Sequence, residues 1–187
     1  NVVKDMKHGG CTATFVGIES GNNKILEKIK KTQTTDECIL AMDNLRKHGI
    51  ESHAFIMVGF PDDTEDTFKQ TMDFIPKLKP DSVIFSIFTP YPGSDIYEEC
   101  KKENIIDGEF DLALYNHQSP LNCFTKNITK ERFYELRKEA FKFVDNYNRK
   151  AKFRRGISSL RHLGIKATWK KAYSHLYSKI ISYTNTR

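Results

Sequence analysis

Three apolar, strand-like runs constrain this chain more than any other feature. They run from Thr12 to Gly21, from His53 to Pro61 and from Ser82 to Gly93, and each ends in a turn of glycine, proline or small polar residues. A helical pattern follows each one. Apolar runs that alternate with amphipathic helices read as βα units of a parallel sheet, because parallel strands need a crossover segment and helices cover the sheet. Ligands of such sheets gather at the carboxyl ends of the strands, where these three turns lie.

The local signals agree with that reading. Asn22 or Asn23 caps a short helix reaching Lys31, with Ile25, Leu26 and Ile29 on its apolar side. Thr34 and Glu37 form a capping box that opens a helix burying Ile39, Met42 and Leu45, and Gly49 ends it. Asp63 or Thr64 caps a helix with Phe68, Met72 and Ile75 facing inward, closed by Pro76 and Pro80. The run from Val83 to Phe88 is unbroken, as expected of a strand covered on both faces. A helix is predicted over 94–102, irregular chain over 104–128, and a long helix from the Thr129 cap through Phe133, Leu136, Ala140, Val144 and Tyr147. A last helical stretch is predicted over 158–183. The fold class is therefore α/β: a partial (β/α) TIM-type barrel of about three units, then a helical C-terminal extension. Residues 1–105 form the barrel part, and 106–187 form an irregular linker and a basic extension. A complete eight-unit barrel takes about 250 residues, against 187 here. A partial barrel has two open sheet edges and is expected to self-associate.

Charge is uneven. The chain carries a net +6, yet residues 146–187 hold 11 Lys/Arg and no acid, leaving 19 basic and 24 acidic residues over 1–145. Such a segment suits an anionic partner. A solvated helix face is the favoured reading, ahead of an anionic membrane surface, with nucleic acid least favoured. The four cysteines, Cys11, Cys38, Cys100 and Cys123, are separated by 27, 62 and 23 residues, so no local chelating loop exists. None of the six histidines pairs with Cys, Asp or Glu at zinc-site spacing. No Ser-His-Asp set or phosphate loop is present.

The turns also carry a resemblance. Gly17-Ile18-Glu19-Ser20-Gly21-Asn22, Gly59-Phe60-Pro61-Asp62-Asp63-Thr64 and Thr89-Pro90-Tyr91-Pro92-Gly93-Ser94 together resemble the second half of a radical S-adenosylmethionine (SAM) core. The resemblance covers roughly residues 5 to 105 and is strongest to the cobalamin-binding branch. It implies reductive cleavage of SAM, with radical transfer or methylation of an unreactive carbon in the intact protein. Implied cofactors are SAM, a [4Fe-4S] cluster whose Cys-x-x-x-Cys-x-x-Cys ligands are expected upstream of Asn1, and cobalamin through an upstream domain. Implied partners are a small-molecule or lipid-like substrate and an external electron donor. The expected location is cytoplasmic, since four unclustered cysteines fit a reducing cytosol, with the membrane periphery as the second reading of the basic segment. The alternatives are a radical SAM enzyme acting on tRNA and a non-catalytic α/β fragment that binds a nucleotide or partner.

The resemblance assigns SAM contacts to Glu19 and Ser20 at the first strand end, to Met57, Val58 and Gly59 at the second, and to Phe88 and Thr89 at the third. Physical chemistry supports Glu19 most. A strand-end carboxylate accepts hydrogen bonds from ribose hydroxyls or an ammonium group, although Glu-Ser-Gly-Asn also suits a simple capped turn. Gly59 lets a flat ring approach the backbone. Tyr91 reads as a structural aromatic, and His48 as a helix C-terminal residue.

Overall fold

The structure is a computed structural model, and it describes residues 2–106, 119 and 122–156. The chain divides into two compact units, residues 1–148 and 149–187. The first holds α1 (Val2–His8), β1 (Ala13–Glu19), α2 (Asn23–Lys28), α3 (Thr35–Lys47), β2 (Glu51–Val58), α4 (Glu65–Leu78), β3 (Ser82–Ile87) and α5 (Asp95–Lys102). A further helix, α6, occupies residues 130–148 of this unit. The second unit is helical over residues 149–156. The helix expected over 158–183 lies outside the described residues.

The sheet is parallel, in the order β1-β2-β3. Its register sets Phe15 beside His53 and His53 beside Ser82, then Gly17 beside Phe55 and Phe55 beside Ile84. Burial follows the two-residue period of a strand. In β2, Ser52, Ala54, Ile56 and Val58 are buried, while Glu51, His53, Phe55 and Met57 are not. The covered face meets Cys38, Met42 and Leu45 of α3, and Phe68, Phe74, Ile75 and Leu78 of α4, all buried. Phe141 of α6 meets Phe85 edge to face at 5.1 Å. The opposite face is open: Phe15 is 62% and Phe55 38% exposed. Phe15 stacks on His53 at 4.8 Å and touches Phe55 at 5.7 Å. The run in β3 is thus covered on both faces only toward its carboxyl end, where Ser86 and Ile87 are both buried.

The helix starts match the sequence signals closely. The Asn22 side chain accepts from the Ile25 amide at 3.1 Å. Thr34 and Glu37 form the capping box of α3, and Thr64 caps α4 through a second box with Thr67. Thr129 Oγ1 accepts from the Arg132 amide at 3.3 Å to open α6. The stops differ more. Pro76 lies inside α4, which continues to Leu78 and ends on Lys79 in the left-handed region at φ 52°. Proline removes one backbone donor, but Ile75 and Leu78 are fully buried and keep the last turn docked. Met72 and Ile39 are only half-buried, while Thr71, Phe74 and Cys38 take the inward positions.

Side chains cap part of each outer strand. Asn148 of α6 treats β3 as a neighbouring strand would: the Val83 amide donates to its Oδ1 at 2.8 Å, and its Nδ2 donates to the Val83 carbonyl at 2.9 Å. The Tyr147 hydroxyl donates to the Pro80 carbonyl at 3.0 Å. Near the end of β1, Gln33 Nε2 donates to the carbonyls of Gly17 and Ile18 at 2.8 and 3.3 Å. Replacing Asn148 with Ala is expected to cost about 1–3 kcal/mol, because two backbone groups lose their partner. It should also raise self-association through the freed edge. Urea unfolding and sedimentation velocity check both effects; an unchanged midpoint with unchanged mass would refute this role.

Candidate ligand site at the strand ends

The first strand ends in a bulge. Gly17 pairs with Phe55 and Glu19 with Ile56, so Ile18 is the extra residue. Glu19 then sits at φ 64°, a left-handed backbone rare for a residue with a side chain and worth about 1 kcal/mol or more of strain. Its Oε1 lies 3.1 Å from Lys31 Nζ, with the two side chains 19% and 38% exposed. A Cβ at Gly17 would stand 2.7 Å from that same oxygen. Gly17 therefore makes room for the carboxylate, which folds back over the strand.

Ser20 and Gly21 do different work. Ser20 is buried, its hydroxyl bonds Thr71 Oγ1 at 3.1 Å, and it accepts from the Asn22 amide at 3.2 Å. The Gly21 amide donates to Thr71 Oγ1 at 3.0 Å. These bonds tie the turn after β1 onto α4.

The second strand end is organised by Asp63. Its Oδ2 accepts from the amides of Gly59 and Phe60 at 2.8 and 3.0 Å, and its Oδ1 accepts from Thr67 Oγ1 at 2.8 Å. Burial pushes the carboxyl above its usual range, against the opposing pull of these three donors. Val58 is buried. Gly59 is at φ 87°, and a Cβ there would lie 2.8 Å from the Phe133 ring of α6. A flat ring does approach Gly59, and it is the protein's own. Met57, half-buried, packs on a cluster of Ile25, Phe60, Phe88, Cys100, Ile106 and Phe124.

At the third strand end, the Phe88 amide donates to the Val58 carbonyl at 2.8 Å, extending the pairing past β3. The Phe88 ring lies 5.0 Å from Phe60 and 6.2 Å from Phe124. Thr89 is buried and accepts from Asn122 Nδ2 at 2.7 Å. Tyr91 is exposed. A cavity of about 250 Å³ lies between the turns after β2 and β3 and the ends of α2 and α5, with Phe60 and Phe88 among its lining. Lys30 and Asp95, closely ion-paired, stand at its rim. The predicted residues therefore share one end of the sheet, but they separate by task. Glu19 and Met57 retain accessible atoms. Ser20, Val58, Phe88 and Thr89 are buried, and Gly59 is packed against Phe133.

Sequence reasoning missed Lys31 as the ion-pair partner of Glu19, Gly17 as the residue that makes room for its carboxylate, and Gln33 as the holder of the carbonyls of Gly17 and Ile18. Their lone signal is proximity in the chain to the Glu19 turn. Among the described residues, no three His, Cys, Asp or Glu side chains converge to hold a metal ion. All four cysteines are free, and burial pushes the Cys100 thiol up to about 11. The described residues thus do not fit a cluster. No helix among them is long and apolar enough to cross a membrane.

Residues 1–75 match the radical SAM superfamily. An uncharacterized methyltransferase of Pyrococcus horikoshii is 38% identical over 140 residues, which is 75% of this chain and 30% of the relative. The bacteriochlorophyllide d C-12(1)-methyltransferase of Chlorobaculum tepidum is 30% identical over 71% of this chain and 29% of its own length. The tRNA-2-methylthio-N(6)-dimethylallyladenosine synthase of Buchnera aphidicola is 32% identical over 61% of this chain and 26% of its own. In structure, the archaeal Elp3 of Methanocaldococcus infernus superposes with a TM-score of 0.50 at 25% identity, covering 54% of this chain and 24% of that one. The fold and these matches define a partial barrel of the radical SAM type. Over the matched stretch the chain belongs to the radical SAM superfamily, and it spans less than a third of the relatives it matches.

Asp63→Ala is expected to destabilise the unit by roughly 2 kcal/mol or more, since two buried amides lose their acceptor. Asp63→Asn should recover part of that loss through its single carbonyl oxygen. Chemical denaturation of the three proteins is the check, and equal midpoints would contradict the role.

Proposed function

We propose that this chain is the SAM-binding portion of a radical SAM enzyme. The observation that carries the reading is Glu19: a carboxylate held at a strained backbone angle, over a glycine, at a strand's carboxyl end. Strain of this kind persists where the surroundings over-determine it, and such places cluster at ligand sites. In this reading Glu19 accepts hydrogen bonds from the ribose hydroxyls or the ammonium group of SAM. The amides of Gly59 and Phe60 are committed to Asp63. Contact with the adenine then falls to the Met57 side chain and to the chain at Thr89, with Val58, Gly59, Phe88 and Ser20 shaping the wall. SAM supplies the radical or methyl chemistry when bound; these residues bind and orient it.

For the intact protein we favour methyl transfer to an unreactive carbon, because two of the relatives are named as methyltransferases. An iron-sulfur cluster, and cobalamin where used, would be held by residues other than those described, so this chain alone would bind SAM without turning it over. The second reading is action on tRNA. It draws on the tRNA-modifying relative and on the basic residues of 146–187. It requires tRNA affinity that falls steeply with salt, and flat salt dependence would end it.

Equilibrium dialysis with SAM tests the main reading. Glu19→Gln and Glu19→Gly are each expected to weaken binding about tenfold or more, which is about 1.4 kcal/mol. Glu19→Gly should keep or raise thermal stability, since glycine adopts the left-handed angle without strain. Unchanged affinity in both variants would overturn the assignment.

A further inference from the structure

A second concave surface lies away from the strand ends, between α4 and α6. It is a groove of about 560 Å³. Its apolar lining includes Phe68 and Met72 of α4, and Leu136 and Phe143 of α6. Phe143 is 37% exposed and Met72 is half-buried, while Phe68 and Leu136 are buried.

The rim is acidic. Glu65, Asp66, Asp73 and Glu139 stand around the groove with Lys69 and Arg132. Arg132 is committed: its guanidinium bonds Glu65 at 2.9 Å and Glu135 at 2.9 Å. Among the described residues, no lysine or arginine lies within ion-pair distance of Asp66, Asp73 or Glu139. Lys69 is thus the one rim cation not already paired within that set, against three such carboxylates.

The two walls have helical spacing. Residues 65, 68, 69, 72 and 73 repeat along one side of α4, and 132, 136, 139, 140 and 143 along one side of α6. The α6 wall is about 16 Å long at 1.5 Å per residue, close to three helical turns. A groove of that length between two rows of helical side chains, with an apolar floor and charged rims, suits an amphipathic helix. Asp66 accepts from Gln70 Nε2 at 2.6 Å, but none of the three carboxylates has a cation partner among the described residues, and their charge selects the sign of the flanks.

We propose that the groove between α4 and α6 is a docking site for a partner's basic amphipathic helix, its apolar stripe on the accessible Met72 and Phe143 and its Lys/Arg flanks facing Asp66, Asp73 and Glu139. The proposal is independent of the SAM reading, because it uses none of the strand-end residues.

Fluorescence anisotropy on the whole 187-residue chain tests it. The probes are three dye-labelled peptides of about 14 residues, roughly four turns: a Leu/Lys amphipathic helix, its Leu/Glu counterpart, and a Leu/Lys peptide with the stripe scrambled. The Leu/Lys helix is expected to bind at least tenfold more tightly than either of the others, and to weaken as salt rises. Charge reversal in the double variant D73K/E139K should weaken it at least tenfold and favour the Leu/Glu peptide. Phe143→Ala, at a partly exposed position, should weaken the Leu/Lys helix several-fold and serves if the double variant fails to fold. Circular dichroism melts report folding. Equal binding of the three peptides, no binding of any, or full affinity in a folded D73K/E139K or F143A protein would each overturn the proposal.

Discussion

The carboxyl end of this sheet depends on one buried carboxylate. Asp63 collects the amides of Gly59 and Phe60 and the hydroxyl of Thr67, so it joins the end of β2 to the start of α4. With those amides held, the chain turns through Gly59 at φ 87° and leaves no side chain there. That gap admits Phe133, which is fully buried, and Phe133 in turn meets Phe68 edge to face at 6.2 Å. The same helix α6 carries Asn148, which pairs with the backbone of Val83 at the β3 edge. Lys126 adds an outer tie: its amide donates to the Pro61 carbonyl at 2.9 Å, and its ammonium lies 2.9 Å from Asp62 and 2.7 Å from Glu103. Those carboxylates raise the ammonium's pKa.

The two faces of the sheet tell different stories. Helices α3, α4 and α6 cover one with aliphatic and aromatic side chains. The other carries Phe15, His53 and Phe55 in mutual contact, with the His53 ring bonded to Ser82 Oγ at 2.6 Å. An apolar surface of this kind costs free energy in water. A barrel normally places such residues in its interior, which agrees with the partial-barrel likeness found in the solved structure.

What could be read from the sequence was local. The strands were legible because their apolar runs end in turn residues, and the helix starts because Asn22, Thr34, Thr64 and Thr129 carry their own acceptors. Failures arose where distant residues decide. Pro76 reads as a stop, yet burial of Ile75 and Leu78 carries the helix past it. Met72 fits the inward stripe of α4, but the sheet takes Phe74 and Leu78 instead. Gly59 reads as space for a ligand ring, while the ring that fills the space comes from Phe133. Asn148 is one polar residue among many on a helix until the β3 edge lies beside it. The clustering of Glu19, Met57 and Thr89 at one sheet end was legible from strand direction alone. The pairing of Glu19 with Lys31 was not, because it requires the bulge and the missing Cβ of Gly17.

Two carboxylates lie at or just after the ends of adjacent strands in this architecture, and their settings differ. Asp63 is buried and accepts from three donors of the protein, so it is spent on holding the turn. Glu19 is partly exposed, faces one lysine, and occupies a backbone angle that glycine would adopt more cheaply. A turn selected only for stability would place glycine there, and the side chain gains little in return, since a partly exposed ion pair contributes about 1 kcal/mol or less. The strain is therefore not offset within the fold described. The compensating interaction is best sought in a ligand, at the strand end where α/β sheets present their sites.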